Sequence, residues 1–171
     1  MIEALRTHGL DLIVLSGDRP EAVAPVAKEL GIANWQAGLK PAEKIDRVEA
    51  LKAEGRRVLM VGDGLNDAPA LAAAHVSMSP ITAAHLTQAH ADALFLGDQL
   101  KPVLQAVAIS QRARRLMKEN LTLAVIYNLF AVPLAIAGLV TPLIAAVAMS
   151  GSSLLVTLNA LRARLRPGVA P

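Results

Sequence analysis

Two aspartates four residues apart, Asp63 and Asp67, carry the chemistry this chain advertises first. They lie in the run VGDGLNDAPAL from Val61 to Leu71, directly after the apolar residues Val58, Leu59 and Met60. Carboxylates are hard oxygen donors of the kind Mg²⁺ takes. The glycines Gly62 and Gly64 let backbone approach a phosphate or a metal-bound water closely. In an open α/β sheet, ligands bind at the carboxyl ends of the strands, and that is where this run falls. The pattern points to magnesium-assisted phosphoryl transfer. An ordinary strand–turn–helix link needs only Asn66 or Asp67 as a cap and Pro69 in the first turn. It leaves Asp63, in the crowded turn ahead, unexplained.

A second set of donors lies in apolar surroundings. From Leu121 to Leu161 there is no charged residue, a run of 41. This is enough for two membrane-spanning helices of about twenty residues each. Polar groups inside such spans are costly and are functional candidates by default. The first span, Leu121–Val140, holds Tyr127 and Asn128. The second, Leu143–Leu161, holds Met149 and Ser153, four apart and so on one helix face. A thioether is a soft ligand suited to Cu(I) far better than to Ca²⁺ or Mg²⁺. The competing readings are close helix packing for the small residues, gap filling for Met149 and interfacial anchoring for Tyr127. Gly138, Thr141 and Pro142 supply the turn, and Pro133 should kink the first span.

The elements that position the first set alternate between strand and helix, which predicts a parallel α/β fold. Strands are expected at Leu10–Leu15, Arg57–Val61, Val76–Met78 and Ala93–Leu96, about four, and the Ile32–Leu39 connection has room for one more short strand. Helices are expected at Met1–His8, Pro20–Leu30, Pro41–Ala53, Asn66–Ala74 and Ala83–Ala89. A long helix starts at Asp98. Gly9, Gly31 and Gly55 serve as stops.

Composition limits the alternatives. The chain of 171 residues is 54% hydrophobic but only 2% aromatic, and it has no cysteine. Disulfides and thiolate metal sites within it are therefore excluded. Its net charge of +3 gathers at Arg112, Arg114, Arg115 and Lys118, and again at Arg162, Arg164 and Arg166. Both groups flank the apolar run, the positive-inside pattern of a hairpin with both ends in the cytoplasm. Scarce aromatics argue against a nucleic-acid surface. His8, His75, His85 and His90 have no metal-site spacing; Trp35 reads as packing and Asp92 as a turn or strand-edge residue. No signal peptide is expected at the start.

The run from Val61 to Leu71 resembles the hinge motif of P-type cation-transporting ATPases, a branch of the haloacid dehalogenase-like phosphohydrolases. Leu15-Ser16-Gly17-Asp18 is similar to that family's Thr/Ser-Gly-Asp motif, and Lys40-Pro41 resembles its charge-neutralising lysine. Tyr127-Asn128 with Met149 and Ser153 resembles the metal path of the copper(I) transporters. The segment Val76–Ala84 departs from the usual pattern in a way similar to the subgroup linked to cytochrome oxidase assembly.

The resemblance implies a partial Rossmann-like phosphorylation domain over residues 1–97, a stalk helix over 98–119, a transmembrane hairpin over 120–162 and a cytoplasmic tail over 163–171. It implies Mg²⁺ at Asp63 and Asp67, with Gly62 and Gly64 beside it. Ser16, Gly17, Asp18 and Lys40 face the phosphoryl group, and Asn66 and Asp67 orient the magnesium shell. ATP enters only with a nucleotide-binding domain that these residues do not contain. The phosphorylated aspartate and its strand are likewise not among them, so no autonomous ATP hydrolysis is expected. The functional expectation is the C-terminal part of an ATP-driven copper(I) exporter in a bacterial inner membrane. Its partners are lipid, copper(I) and the N-terminal portion of the same enzyme, without nucleic acid. The alternatives are a non-catalytic membrane metal-binding or regulatory protein and, further off, a membrane-tethered phosphatase.

Overall fold

The computed structural model describes residues 1–83, 85–97 and 99–162. The expected helix start at Asp98 and the tail with Arg164 and Arg166 lie outside them. The chain divides into two compact units, Met1–Leu104 and the residues from Gln105 onward.

The first unit alternates as the sequence predicts. Its elements are α1 (Ile2–Thr7), β1 (Ile13–Leu15), α2 (Pro20–Glu29), β2 (Asn34–Gln36), α3 (Pro41–Ala53), β3 (Leu59–Val61), α4 (Ala68–Ala73), β4 (Val76–Pro80), α5 (His85–Ala89) and β5 (Ala93–Phe95). Among the described residues every strand pair is parallel. Five strands are described there: the four expected and the short one in the Ile32–Leu39 connection, where Asn34–Gln36 pairs with β1. Leu65–Asp67 is a 3-10 turn, so α4 starts at Ala68, two residues later than Asn66. The reason is local: Asp67 is drawn back onto the loop that precedes it, as described below.

The strands form two sheets, β1-β2 and β3-β4-β5. Among the described residues β1 and β3 share no ladder. An ion pair joins their leading ends, Arg56 Nη1 to Asp11 Oδ2 at 3.2 Å. β4 is the central strand of its sheet and buries Ser77, Met78, Ser79 and Pro80. Parallel strands flanked by helices are covered on both faces, which explains a buried run in place of an alternating one. The core against β3 is Met60, Ala70 and Leu71, with Ile45 of α3 and Ala74 packed on it.

Pro41 fixes the first turn of α3, and the Glu43 carboxylate accepts the Lys40 backbone N–H at 2.7 Å. Gly55, at φ +78°, ends the same helix in the left-handed region that favours glycine.

The helix α6 (Lys101–Ile136) begins in the first unit and enters the second, where α7 (Pro142–Leu161) follows it. Both are long and apolar enough to cross a membrane. The helical assignment runs unbroken through Pro133. α6 ends at Ile136, earlier than Val140, because Gly138 at φ +74° turns the chain there. The Leu139 N–H reaches Leu134 O at 3.1 Å and the Gly138 N–H reaches Ala135 O at 3.0 Å, closing a Schellman motif. Thr141 then caps α7, its Oγ1 accepting the Ile144 N–H at 3.3 Å.

Candidate functional site

The loop after β3 is held from three sides. The Gly62 N–H donates to Met78 O at 3.2 Å, tying the loop to the central strand. Thr87 of α5, fully buried, donates its Oγ1 hydrogen to Gly64 O at 2.8 Å. Lys44 of α3 donates from Nζ to Asp67 Oδ1 at 2.6 Å. The other oxygen of Asp67 accepts the Gly64 N–H at 3.3 Å. Gly62 has to be glycine: a Cβ there would lie 2.8 Å from the Asp67 Cβ.

These bonds divide the two aspartates by role. Both carboxylate oxygens of Asp67 are engaged, and it organises the loop. Asp63 is exposed and makes no hydrogen bond or ion pair among the described residues, so its carboxylate faces outward at the carboxyl end of β3. Asp63 therefore fits a hard divalent cation, whereas Asp67 fits one only by sharing Oδ2. Asn66 is exposed beside them.

The turn after β1 is a second backbone platform. Ser16 Oγ donates to Asp18 Oδ2 and accepts the Asp18 N–H, each at 3.1 Å. The Leu39 N–H donates to Ser16 O at 3.0 Å and the Gly38 N–H to Asp18 O at 2.7 Å. Gly17 lies close under this strap, where a Cβ would sit 3.3 Å from Leu39 O.

The cation that the fold sets against the aspartate loop is Lys44. Lys40 is exposed at the N-cap of α3 and contributes its backbone N–H to the cap. Lys44 is only 7% exposed. The sequence did hold a signal for it: Lys44, Val48 and Leu51 fall on one stripe of α3, so its stem faces the interior. Thr87 gave no such signal. Asp92, expected at a turn or strand edge, stands just before β5. Its Oδ2 accepts the Ser77 N–H at 2.8 Å and the Ser77 hydroxyl at 2.9 Å, which satisfies a buried hydroxyl on the central strand. No group of three or more His, Cys, Asp or Glu side chains gathers among the described residues.

In the second unit Tyr127 and Asn128 lie in the last third of α6, and Met149 and Ser153 lie near the middle of α7. Asn159 Nδ2 donates to Asn120 Oδ1 at 2.8 Å, linking α7 to α6. Seven residues beyond Asn120, about 10 Å along the axis at 1.5 Å each, stands Tyr127; seven before Asn159 stands Ser152. Tyr127 and Asn128 are thus level with the Met149–Ser153 turn. Met149 is 70% exposed, so the helix pair alone does not enclose its thioether.

Comparison with known proteins agrees with this layout. Residues 1–75 match the family model of the haloacid dehalogenase-like hydrolases. The nitrogen fixation protein FixI of Bradyrhizobium diazoefficiens is 60% identical over 164 residues, 96% of this chain and 22% of that protein. The copper-exporting P-type ATPase of Bacillus subtilis is 39% identical over 161 residues, 94% of this chain and 20% of that protein. A zinc-transporting PIB-type ATPase in its E2·Pi state superposes with a TM-score of 0.88 at 32% identity, over 96% of this chain and 27% of that one. The chain spans about a fifth of the length of the curated relatives it matches. It has a haloacid dehalogenase-like hydrolase domain followed by two helices of membrane-spanning character, and over nearly its whole length it is homologous to FixI and to copper-exporting P-type ATPases and similar in fold to a PIB-type ATPase.

Proposed function

We propose that this chain is the C-terminal part of an ATP-driven copper(I) exporter. It supplies the magnesium-binding hinge of the phosphorylation domain and two helices of the metal path. The observation that carries the reading is one continuous chain. It joins a loop with an outward carboxylate, Asp63, to a hairpin with Met149 and Ser153 level with Tyr127 and Asn128.

Asp63 is the residue to hold Mg²⁺, which when bound neutralises charge on a transferred phosphoryl group. Asp67, clamped by Lys44, keeps the loop in the shape that presents Asp63. Ser16, Gly17 and Asp18 offer a hydroxyl, a close backbone and a carboxylate at the end of β1. Lys44, one turn along α3 from Lys40, is buried against the aspartate loop and takes in this reading the cationic role that the family resemblance implies for Lys40. The attacking aspartate and ATP come with a further segment or polypeptide, the N-terminal portion of the same enzyme. The separate sheets β1-β2 and β3-β4-β5 support that reading, because each leaves an edge with unpaired backbone groups.

The metal is a soft monovalent ion on the chemistry of Met149. The membrane in this reading is a bacterial inner membrane, and the charge bias supports basic helix ends on its cytoplasmic side. The test is Cu(I) titration of the full chain in lipid nanodiscs against a competing chelator. Loss of most of the affinity in Met149→Ala supports the reading. Unchanged affinity removes the ligand role.

A further inference from the structure

The charged end of the helix pair holds an open cleft of about 850 Å³. One stripe of α6 forms its main wall. Arg114, Arg115 and Lys118 occupy the first turns of that stripe, and Leu123 continues it into the apolar run. Arg162 at the end of α7 faces them. The Asn120–Asn159 hydrogen bond keeps the two helices together here. An Arg112 guanidinium bond to the Arg162 carbonyl clasps the same end.

Four cations line the cleft and one carboxylate, Glu119, answers them. Glu119 is shared: Arg115 Nε lies 3.2 Å from Oε1 and Arg162 Nη1 lies 3.9 Å from Oε2. Arg114 and Lys118 make no hydrogen bond or ion pair among the described residues and are exposed. The cleft therefore carries an excess of positive charge with two donors unengaged.

The shape of this charge selects the ligand. From Lys118 to Leu123 the helix rises about 7 Å, so cations give way to apolar wall over little more than one turn. A ligand matching both ends needs an anionic head and an apolar tail aligned with the helix axis. Inorganic phosphate fills only the upper part. Basic clefts between helices at the membrane surface are suited to anionic lipid head groups. We infer that the cleft between Arg114, Lys118 and Arg162 binds the phosphodiester head of an anionic phospholipid, with the acyl chains descending past Leu123. This rests on the reading that α6 and α7 lie in a bilayer.

The test uses the full chain in vesicles of phosphatidylcholine containing a minor share of phosphatidylglycerol. Spin-labelled lipids report which species is held at the protein surface. Phosphatidylglycerol is expected to be retained over phosphatidylcholine. Arg114→Gln and Lys118→Gln should each reduce that preference about fivefold, the effect of one surface cation on an anionic membrane. Lys118→Arg should restore it and covers the case in which a glutamine variant folds poorly. Lys28→Gln, on the first unit, should leave it unchanged. Equal loss with Lys28→Gln, or complete displacement of the lipid by millimolar inorganic phosphate, overturns the lipid site. So does an acidic peptide that binds the cleft while lipid preference is absent. Failure of the chain to float with the vesicles at all defeats the bilayer reading; flotation without preference defeats this inference alone.

Discussion

Lys44 Nζ lies 2.6 Å from Asp67 Oδ1, with side-chain exposures of 8% and 14%. The pair binds α3 to the end of the 3-10 turn, twenty-three residues away in sequence. Removing one partner from such a pair leaves a charge stranded in poor solvent, which costs more than the pair contributes. Lys44→Met is therefore expected to destabilise the first unit by about 3 kcal/mol. Lys40→Met should have little effect. Amide exchange along β3 and α4 measures both. The double variant Lys44→Met, Asp67→Asn should recover part of the loss, since no lone charge remains.

Gly62→Ala places a methyl group 2.8 Å from the Asp67 Cβ. The nearest atom belongs to a side chain clamped by Lys44, so it cannot swing away cheaply. The expected cost is about 1–3 kcal/mol, as for overpacking. Amides from Gly62 to Asp67 should exchange faster. Gly9→Ala, where a Cβ meets nothing within 4 Å but φ is +78°, separates backbone strain from crowding.

Thr87→Val keeps the shape of the buried side chain and removes its hydrogen bond to Gly64 O. An unsatisfied carbonyl costs about 1–3 kcal/mol when buried. The loop carrying Asp63 should loosen, seen as faster exchange at Leu65 and Asn66. Thr87→Ser should hold it. Equal protection in the valine variant would show that the Lys44 clamp suffices alone.

Asn159→Leu removes the hydrogen bond that Asn159 Nδ2 of α7 donates to Asn120 Oδ1 of α6. Interhelical hydrogen bonds in membranes contribute about 0.6 kcal/mol on average and up to about 1.7. A modest separation of the two basic helix ends is expected. Spin labels on exposed positions of α6 and α7, read in nanodiscs, report it.

Much of the candidate site was legible in the residues. Two carboxylates after an apolar run, with glycines around them, mark the loop after β3 as the candidate site without any coordinates. The apolar stretch from Leu121 to Leu161 identifies the hairpin from its length and lack of charge alone. Pro20, Pro41 and the glycine stops set helix boundaries closely, because these residues restrict or free the backbone locally. Short strands were harder: Asn34–Gln36 is polar and partly exposed, and only its pairing with β1 makes it a strand.

The local sequence determined which residues carry chemistry, since carboxylate, thioether and glycine act through properties each holds by itself. The tertiary structure decided how those residues divide the work. Asp63 and Asp67 are alike in sequence, yet one faces outward and the other is spent on a lysine from a distant helix. Lys40 and Lys44 are alike as well, and burial separates them. Such distinctions depend on which side chains meet across long loops, and spacing along a chain does not encode that.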